Sequence, residues 1–443
     1  MRCVNIARNE RGQILIVFAF LLTILVLFTG LAVDAGLLYV TKAKLSTAVD
    51  AACLMGMKSL SKGQSTAATL ATDEFDANFG ANPPTPTITF PLDAYGDQEI
   101  NITATATVHT LFMRIIPAFA TVNVSDTATA TRGKLAMSIV LDRSGSMSSD
   151  GGGSALQSAV PAFVADFSNA NDEVALVSFS SNATVNFPIN YNFITPIDSD
   201  VASMVFAGGT FGTGAGTNSA STTIGPPMSM ADQQVKSVTA QPGQNLVKVV
   251  VYFTDGLMNA VQDTFTCVVN NVPTPELINY GGYDATYVGF FDPTSGTQWG
   301  SGYSSPVTGF PYNSGGSICQ NPKGTNVTKF PSQQYGQQSI TQANLVAEAQ
   351  YRAIQTANAM RTETSPTYIF TIGLGDNNSG GMSQATQNFL AQLANDPNYS
   401  TYIKGQPAGL FQYIPTCPGA TCTADLNIAF QTIAAKVLLR LTQ

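Results

Sequence analysis

The side chains best suited to chemistry carry oxygen atoms, and they follow two apolar stretches of the chain. Asp142-Arg143-Ser144-Gly145-Ser146 comes directly after residues 136–141, and Asp255 lies just beyond the run 247–253. In a doubly wound sheet, ligands bind beyond the carboxyl ends of the strands, and both groups face one crevice if their two strands are parallel neighbours. Carboxylate and hydroxyl oxygens are the ligands that a hard cation such as Mg²⁺ prefers. The pattern therefore predicts a divalent-metal site.

The charges at this site also favour a bound cation. Asp142 and Asp255 would repel each other in one crevice, and a divalent cation offsets that repulsion. Gly256 lets the backbone turn sharply beside Asp255. Ser144 and Ser146 add hydroxyl oxygens without cancelling the charge of the ion, which therefore keeps Lewis acidity and an open coordination position.

Other kinds of chemistry have little support in the sequence. Catalysis by a Ser-His or Cys-His pair and the usual zinc sites need histidine, and the chain has one, His109, with no Cys, Asp or Glu at ligand spacing. We interpret His109 as a structural or surface residue. The sequence has no phosphate-binding loop, so we do not expect an enzyme. The net charge is −8 and the 20 Lys and Arg residues are scattered, which excludes a nucleic-acid partner.

The six cysteines indicate whether the protein is exported or cytosolic. Cys267 and Cys319 share one Gly- and aromatic-rich stretch, and Cys417 and Cys422 flank a short Pro-Gly loop. We predict a disulfide within each pair in an exported protein, with separate buried thiols as the alternative. Only 11% of the residues are charged, which is more typical of an exported protein than of a cytosolic enzyme.

The N-terminal region predicts export with an uncleaved membrane anchor. Residues 14–33 form an uncharged apolar run of about twenty residues, which is long enough to cross a bilayer as a helix. Arg2, Arg8 and Arg11 precede the run and Asp34 follows it, so the positive-inside rule places the N-terminus in the cytoplasm. A cleaved signal peptide is the alternative, although its apolar region is usually shorter.

The helical pattern continues beyond the membrane to about Leu60. Apolar and small residues recur at helical spacing on one face: Leu38, Leu45, Ala48, Val49, Ala52 and Gly56. Such an amphipathic helix is expected to pack its apolar face against a globular body.

A small α+β module is predicted for residues 61–132. Its first part is polar and Ala-rich, and we expect helix as far as Phe79. Three strand-like stretches follow a Pro-rich turn: 87–90, 100–108 and the residues from Val122 onward. Alternation in the second of these stretches predicts one buried face. Residues 111–117, between the last two stretches, are predicted as a short helix.

From Leu135 onward, apolar strands alternate with helices. The strand-like runs, nearly all apolar as in strands covered on both faces, are 136–141, 173–179, 247–253 and 367–373. The helical stretches are 154–168, 228–238, 341–361, 384–394 and 424–441. This order predicts an α/β fold with a doubly wound, mostly parallel sheet. Two segments interrupt it, the Gly- and Thr-rich residues 205–225 and a long insertion at 257–338, whose aromatic residues form either a small core or a recognition surface.

The two acidic motifs together strongly resemble the metal-ion-dependent adhesion site of von Willebrand factor A (integrin I-like) domains, over about residues 134–443 apart from the insertion. The resemblance implies a Rossmann-like fold and a metal bound by two acidic residues, two serines and a loop threonine: Asp142, Ser144, Ser146, Thr217 and Asp255. Thr217 is the best match because it lies in Gly216-Thr217-Asn218, and Thr210 and Thr213 of the same loop are the alternatives.

The N-terminal region resembles TadE/TadG-like Flp pilus-assembly proteins. Three segments carry the resemblance: Arg11-Gly12-Gln13, Ala32-Val33-Asp34-Ala35-Gly36 and Ala48-Val49-Asp50-Ala51-Ala52. The resemblance implies a bacterial envelope protein of pilin-like design. Val17 stands where processed pilins commonly have Glu, five residues after the processing glycine, which argues against pilin-style processing.

Both resemblances together imply a TadG-like adhesion or assembly protein in the bacterial inner membrane, with its C-terminal domain periplasmic or extracellular. We expect a tail and anchor helix at 1–60, the small module at 61–132 and the metal-binding domain at 133–443. The adhesion-site resemblance implies that Mg²⁺, or else Mn²⁺ or Ca²⁺, binds a Glu or Asp carboxylate of a protein partner, such as a pilus or envelope assembly component. It also implies coupling to movement of the helix at 424–441. The alternatives are a structural minor pilin or pilus-tip component with a non-essential metal site, and a non-catalytic subunit of an enzyme complex.

Overall fold

The fold consists of two compact units, residues 1–132 with 442–443 and residues 133–441. It is known from a computed structural model, which describes residues 11–149, 151–180, 183–206, 225–256, 260–269, 272–282, 288–291, 298–303, 319–320, 342–375, 381–417 and 420–441.

The first unit combines a long helix, a shorter helix and an antiparallel sheet. Its helices are α1 (Arg11–Ser59) and α2 (Gln64–Phe79), joined by a 3₁₀ turn at Leu60–Lys62. Its strands are β1 (Thr87–Thr89), β2 (Glu99–His109) and β3 (Thr121–Thr131), hydrogen-bonded in the order β1-β2-β3. Within the described part of the chain, one helix is long and apolar enough to cross a membrane, and it lies near the N-terminus at Leu15–Lys62.

The outer half of α1 is built into the core of this unit. Leu45, Ala48 and Ala52 are fully buried, whereas apolar side chains such as Phe18 and Phe28 in the first half are exposed. The inward face of β2 and α2 completes the core, with Ile100, Ile102, Ala71 and Phe75 fully buried: these residues lie in one cluster with those of α1. The predicted amphipathic face and the predicted alternation of the second strand are therefore both observed.

The predicted short helix at 111–117 is wrong. The chain forms two separate 3₁₀ turns there, Met113–Ile115 and Pro117–Phe119. Ile116 between them has an extended backbone, with φ −97° and ψ 109°. A residue that precedes proline is pushed out of the helical region by the proline ring, so Pro117 ends the first turn and begins the second.

A six-stranded sheet forms the centre of the second unit among its described residues. Its strands are β4 (Lys134–Asp142), β5 (Glu173–Phe179), β6 (Ala183–Asn190), β7 (Leu246–Thr254), β13 (Thr367–Leu374) and β14 (Leu410–Ile414), in the order β14-β13-β7-β4-β5-β6. All neighbouring pairs are parallel except β5 with β6. The mostly parallel sheet predicted from the sequence is thus confirmed.

Helices cover both faces of this sheet. The helices are α3 (Gly145–Ser149), α4 (Gly152–Val164), α5 (Ile194–Ser203), α6 (Gly225–Ser237), α7 (Gln342–Arg361), α8 (Gln384–Ala394) and α9 (Ala420–Leu441). One core cluster joins the sheet to α6, α7 and α8. A second cluster joins the opposite face to α4, α5 and α9. Alternate residues of β4 belong to the two clusters, Val140 to the first and Ile139 and Leu141 to the second, as expected of a strand covered on both sides.

Several elements of this unit were not predicted, among them α3, β6, α5 and β14. In β6, half-buried side chains alternate with exposed ones, as is typical of an edge strand with one solvated face. Because β6 has no continuous apolar run, its sequence did not indicate a buried strand. The strand β14 is five residues long and closes the other edge of the sheet.

The insertion after β7 forms a separate antiparallel sheet. Its strands are β8 (Ala260–Val269), β9 (Val272–Gly282), β10 (Val288–Phe291), β11 (Gln298–Tyr303) and β12 (Cys319–Gln320), in the order β11-β10-β9-β8-β12. The backbone register pairs Cys319 with Cys267, which is the juxtaposition that the predicted disulfide between them requires. That disulfide, and the two interpretations of the aromatic residues, concern side chains outside the described ones and stay predictions. The other predicted disulfide, Cys417–Cys422, is present.

Candidate metal centre

The two acidic motifs meet because their strands are parallel neighbours in the sheet. The register of β4 and β7 pairs Leu141 with Phe253. Asp142 is the last residue of β4, and Asp255 follows the last residue of β7. Residues that are widely separated in sequence therefore emerge at one carboxyl edge, because β4 and β7 meet the condition, parallel neighbouring strands, on which the expectation depended.

Hydrogen bonds connect the acidic residues and the serines into one cluster. Asp142 accepts the backbone N–H of Ser144 on Oδ1, at 2.8 Å. The hydroxyl oxygens of Ser144 and Ser146 are 3.1 Å apart. Ser146 Oγ donates to Asp255 Oδ1 at 3.0 Å, which links β4 and β7 across the site. Four of the five predicted ligands are therefore brought together.

Among the described residues, the cluster is buried on the sheet side and reaches the surface at Ser146. Asp142 is fully buried, and Ser144 and Asp255 are 2% and 7% exposed. Ser146 is exposed to solvent. Burial raises the pKa of the Asp142 carboxyl above its usual value, and hydrogen bonds from Ser144 and Thr254 offset part of that rise. A buried carboxylate is costly unless a positive charge compensates it.

The donor set fits a hard cation. Every candidate ligand in the cluster is a carboxylate or hydroxyl oxygen, which suits Mg²⁺, Mn²⁺ or Ca²⁺ better than a thiolate- or imidazole-binding metal. Among the described residues there is no group of three or more His, Cys, Asp or Glu that could hold a metal ion. A metal held by the described part of the cluster would have two carboxylates and two serine hydroxyls as candidate ligands, and water molecules would have to complete an octahedral shell.

Thr254 is a member of the cluster that the sequence did not assign. Its side chain is fully buried, and its Oγ1 donates to Asp142 Oδ2 at 2.7 Å. The second carboxylate oxygen of Asp142 is thereby oriented by β7. The sequence feature that could have assigned Thr254 to the cluster is its position directly before Asp255 in the same motif. The predicted loop ligand Thr217 and its alternatives Thr210 and Thr213 lie outside the described residues.

Tyr252 lies under the cluster in the sheet. Its ring is fully buried and stacks on Phe179, with ring centroids 5.3 Å apart. Burial raises the pKa of its hydroxyl far above the usual value, and the charges of Asp142 and Asp255 add to the effect. Within the described part of the chain, the Tyr252 hydroxyl has no hydrogen-bond partner.

Comparison with known families identifies both regions. Residues 137–257 match the family model of the von Willebrand factor type A domain. That segment contains both acidic motifs, and the domain has the doubly wound sheet described above. Residues 12–61 match a second model, described as putative Flp pilus-assembly TadE/G-like. The chain therefore combines a TadE/G-like N-terminal helix with a von Willebrand factor type A domain, as the sequence predicted. No curated protein matches the chain.

Several solved structures are similar to this chain at low identity. The PilB minor pilin from Streptococcus sanguinis is 14% identical, with a TM-score of 0.38 over 81% of this chain and 79% of that one. The pilus adhesin SpaC from Lactobacillus rhamnosus GG is 12% identical, with a TM-score of 0.37 over 81% of this chain and 34% of that one. The von Willebrand factor domain of the pilus tip protein Mfa5 from Porphyromonas gingivalis is 17% identical, with a TM-score of 0.35 over 69% of this chain and 95% of that one.

Proposed function

We propose that this protein is a membrane-anchored adhesion or assembly protein that binds a protein partner through a divalent metal in its von Willebrand factor type A domain. The observation that carries the proposal is the hydrogen-bonded cluster of Asp142, Ser144, Ser146 and Asp255 at the carboxyl edge of the sheet. A cluster whose candidate ligands are all oxygen atoms is suited to binding a hard cation.

In this proposal, each residue has a distinct task. Asp142 and Ser144 hold the metal from the buried side, and Thr254 keeps the carboxylate of Asp142 oriented. Asp255 holds it from the end of β7 and Ser146 from the short helix after β4, with Thr217 as the loop ligand. A bound Mg²⁺, or Mn²⁺ or Ca²⁺ in its place, would supply a positive centre with an open coordination position. A Glu or Asp carboxylate of the partner is the group of matching charge for that position.

The location in the cell follows from the N-terminal helix. We infer that α1 crosses the bacterial inner membrane once, with the N-terminus in the cytoplasm and the chain after the apolar run periplasmic or extracellular. The arginines before the apolar run and Asp34 after it support this orientation. The TadE/G-like match supports pilus or envelope assembly components as partners. We retain a tail and anchor at 1–60, a small module at 61–132 and the metal-binding domain at 133–443 as the functional division.

Metal binding is tested by titrating the full-length protein with Mg²⁺ and with Mn²⁺ in a calorimeter. Replacing both Ser144 and Ser146 with Ala should weaken binding at least about tenfold, because two of the proposed ligands are lost. Ser148→Ala is the matched control, since Ser148 is an exposed serine on the same short helix, α3, as Ser146. Equal metal affinity in the double variant and the control would contradict the assignment.

Partner binding is tested with a chelator and with Asp142→Ala. Captured envelope proteins should be released by EDTA and recovered on addition of Mg²⁺, and the variant should fail to capture them. If partner binding were unchanged both by the chelator and by Asp142→Ala, the result would instead support a structural pilin-like role with a non-essential metal site.

A further inference from the structure

We propose that residues 111–119, called here the apolar loop, form a second membrane contact that inserts into the interfacial layer of the same bilayer that α1 crosses. The inference rests on the membrane anchor of the proposed function and is independent of the metal site. It concerns the first unit alone, in which α1 and the apolar loop lie side by side.

A carboxylate on α1 clamps the apolar loop in place. Asp34 is 1% exposed although it follows directly on the apolar run of the helix. Its two oxygens accept three consecutive backbone N–H groups, from Leu111 at 2.7 Å, Phe112 at 2.9 Å and Met113 at 2.6 Å. Hydrogen bonds to a charged acceptor are among the stronger ones in proteins, so the start of the loop is tied to one level of the helix.

A glycine within the apolar run sets the depth of the loop. A Cβ atom added at Gly30 would lie only 2.5 Å from Cγ of Phe112. The absence of a side chain at Gly30 therefore lets the Phe112 ring pack directly on the helix backbone. Gly30 lies four residues, about 6 Å along the helix axis, before Asp34. Phe112 is thus level with the last turn of the run that is proposed to cross the bilayer.

The apolar loop exposes five large apolar side chains near the end of the apolar run of α1. The exposed ones are Leu111 at 58%, Phe112 at 42%, Ile115 at 76%, Ile116 at 56% and Phe119 at 47%. A surface of this kind is unfavourable in water but suits the boundary between lipid headgroups and acyl chains. Arg114, also exposed, lies within the loop and can pair with lipid phosphates.

We favour lipid as the occupant because the apolar loop extends the exposed apolar surface of α1, which is proposed to contact the membrane. The exposed residues of α1 before Gly30 and the exposed residues of the apolar loop join at the contact between Gly30 and Phe112. A second protein chain on this surface would have to compete with lipid at the depth where α1 ends. A protein occupant is accordingly an outcome that the experiment must be able to detect.

The test places a tryptophan reporter in the full-length protein and measures quenching by lipids brominated on their acyl chains. Ile115→Trp reports on the apolar loop. Leu92→Trp is the matched control, because Leu92 is 66% exposed and forms an isolated bridge with Gln98, just before β2 begins. The length of β2, roughly 33 Å for ten residue steps, separates that point from the end of the strand next to the apolar loop. The natural chain contains one tryptophan, and its emission is subtracted as a baseline. We expect the added emission at 115 to be quenched at least about twice as strongly as at 92, since interfacial side chains lie some 5–10 Å into the boundary layer.

Two positioning variants separate insertion from mere proximity. Asp34→Ala removes the clamp and Gly30→Leu displaces Phe112, so each should lower quenching of the Ile115→Trp reporter towards the control level. Equal quenching at 115 and 92 in vesicles that carry the protein would overturn the insertion alone. Chain-to-chain crosslinking through residue 115 without quenching would assign the surface to a protein. A wild-type protein that does not float with vesicles would overturn the anchor as well, whereas failure of the metal titration would leave this proposal intact.

Discussion

Replacing Asp142 with Asn should have effects of opposite sign with and without metal. The substitution keeps the size of the side chain, so the contacts with Ser144 and Thr254 can be retained with one donor reversed. It removes a charge from a fully buried position. Without metal, therefore, we expect the variant to be at least as stable as the natural protein, because no desolvated carboxylate remains to be compensated.

With metal the order should reverse. At a Mg²⁺ concentration of about 100 times the dissociation constant, binding stabilises the native protein by about 2.7 kcal/mol. If loss of the carboxylate charge weakens binding about 100-fold, the same Mg²⁺ concentration stabilises the variant by only about 0.4 kcal/mol. The assay is urea unfolding of each full-length protein in EDTA and again in Mg²⁺, with each protein serving as its own reference. An equal gain from Mg²⁺ in both proteins would refute the role of Asp142 as a ligand, and a metal-free variant that is clearly less stable would refute the argument from buried charge.

Two further predictions concern stability. Tyr252→Phe should stabilise the protein by about 1–2 kcal/mol in urea unfolding, because it removes a buried hydroxyl without a hydrogen-bond partner among the described residues while keeping the ring stacked on Phe179; a loss of stability would contradict this. For Lys134, burial lowers the pKa, but the carboxylate of Glu173, 2.9 Å away, and the side chain of Tyr191 together outweigh burial and hold the pKa above its usual value. The folded pKa is thus above the unfolded one, so the stabilisation is complete below about pH 10 and is lost as pH rises above that value. The thermal unfolding temperature should therefore fall more steeply between pH 8 and pH 11 in the natural protein than in Glu173→Gln. Parallel curves of unfolding temperature against pH for the two proteins would exclude the ion pair as the cause.

Much of the second unit could be predicted because its strands are buried on both faces. Such strands are continuous apolar runs, and they separate clearly from the helices between them. The helix at 384–394 was predicted with the bounds that α8 has in the structure. Elements with weaker patterns were missed, such as β6, whose pattern is that of an edge strand.

The metal centre was predictable to a different degree for each residue. Asp142, Ser144, Ser146 and Asp255 each follow the end of an apolar run, so their types and positions pointed to one edge of the sheet. The hydroxyl of Thr254 on Asp142 could not be predicted, because it depends on which strands are neighbours and on their register. The apolar loop is a similar case: local sequence indicated a helix, and Pro117 divided it into two turns.

By itself, the sequence determined the elements whose physical signal is local. A long uncharged run specifies a helix that can cross a membrane, alternation of apolar residues specifies a strand with one buried face, and acidic residues after buried strands specify a polar edge. Only the tertiary structure decided which distant groups meet. The neighbouring positions of β4 and β7 bring Asp142 to Asp255, and the packing of α1 brings Asp34 to the three N–H groups of the apolar loop. The physical reason is that a hydrogen bond depends on distances within about 3 Å, which the fold of the whole unit sets and which no spacing along the chain encodes.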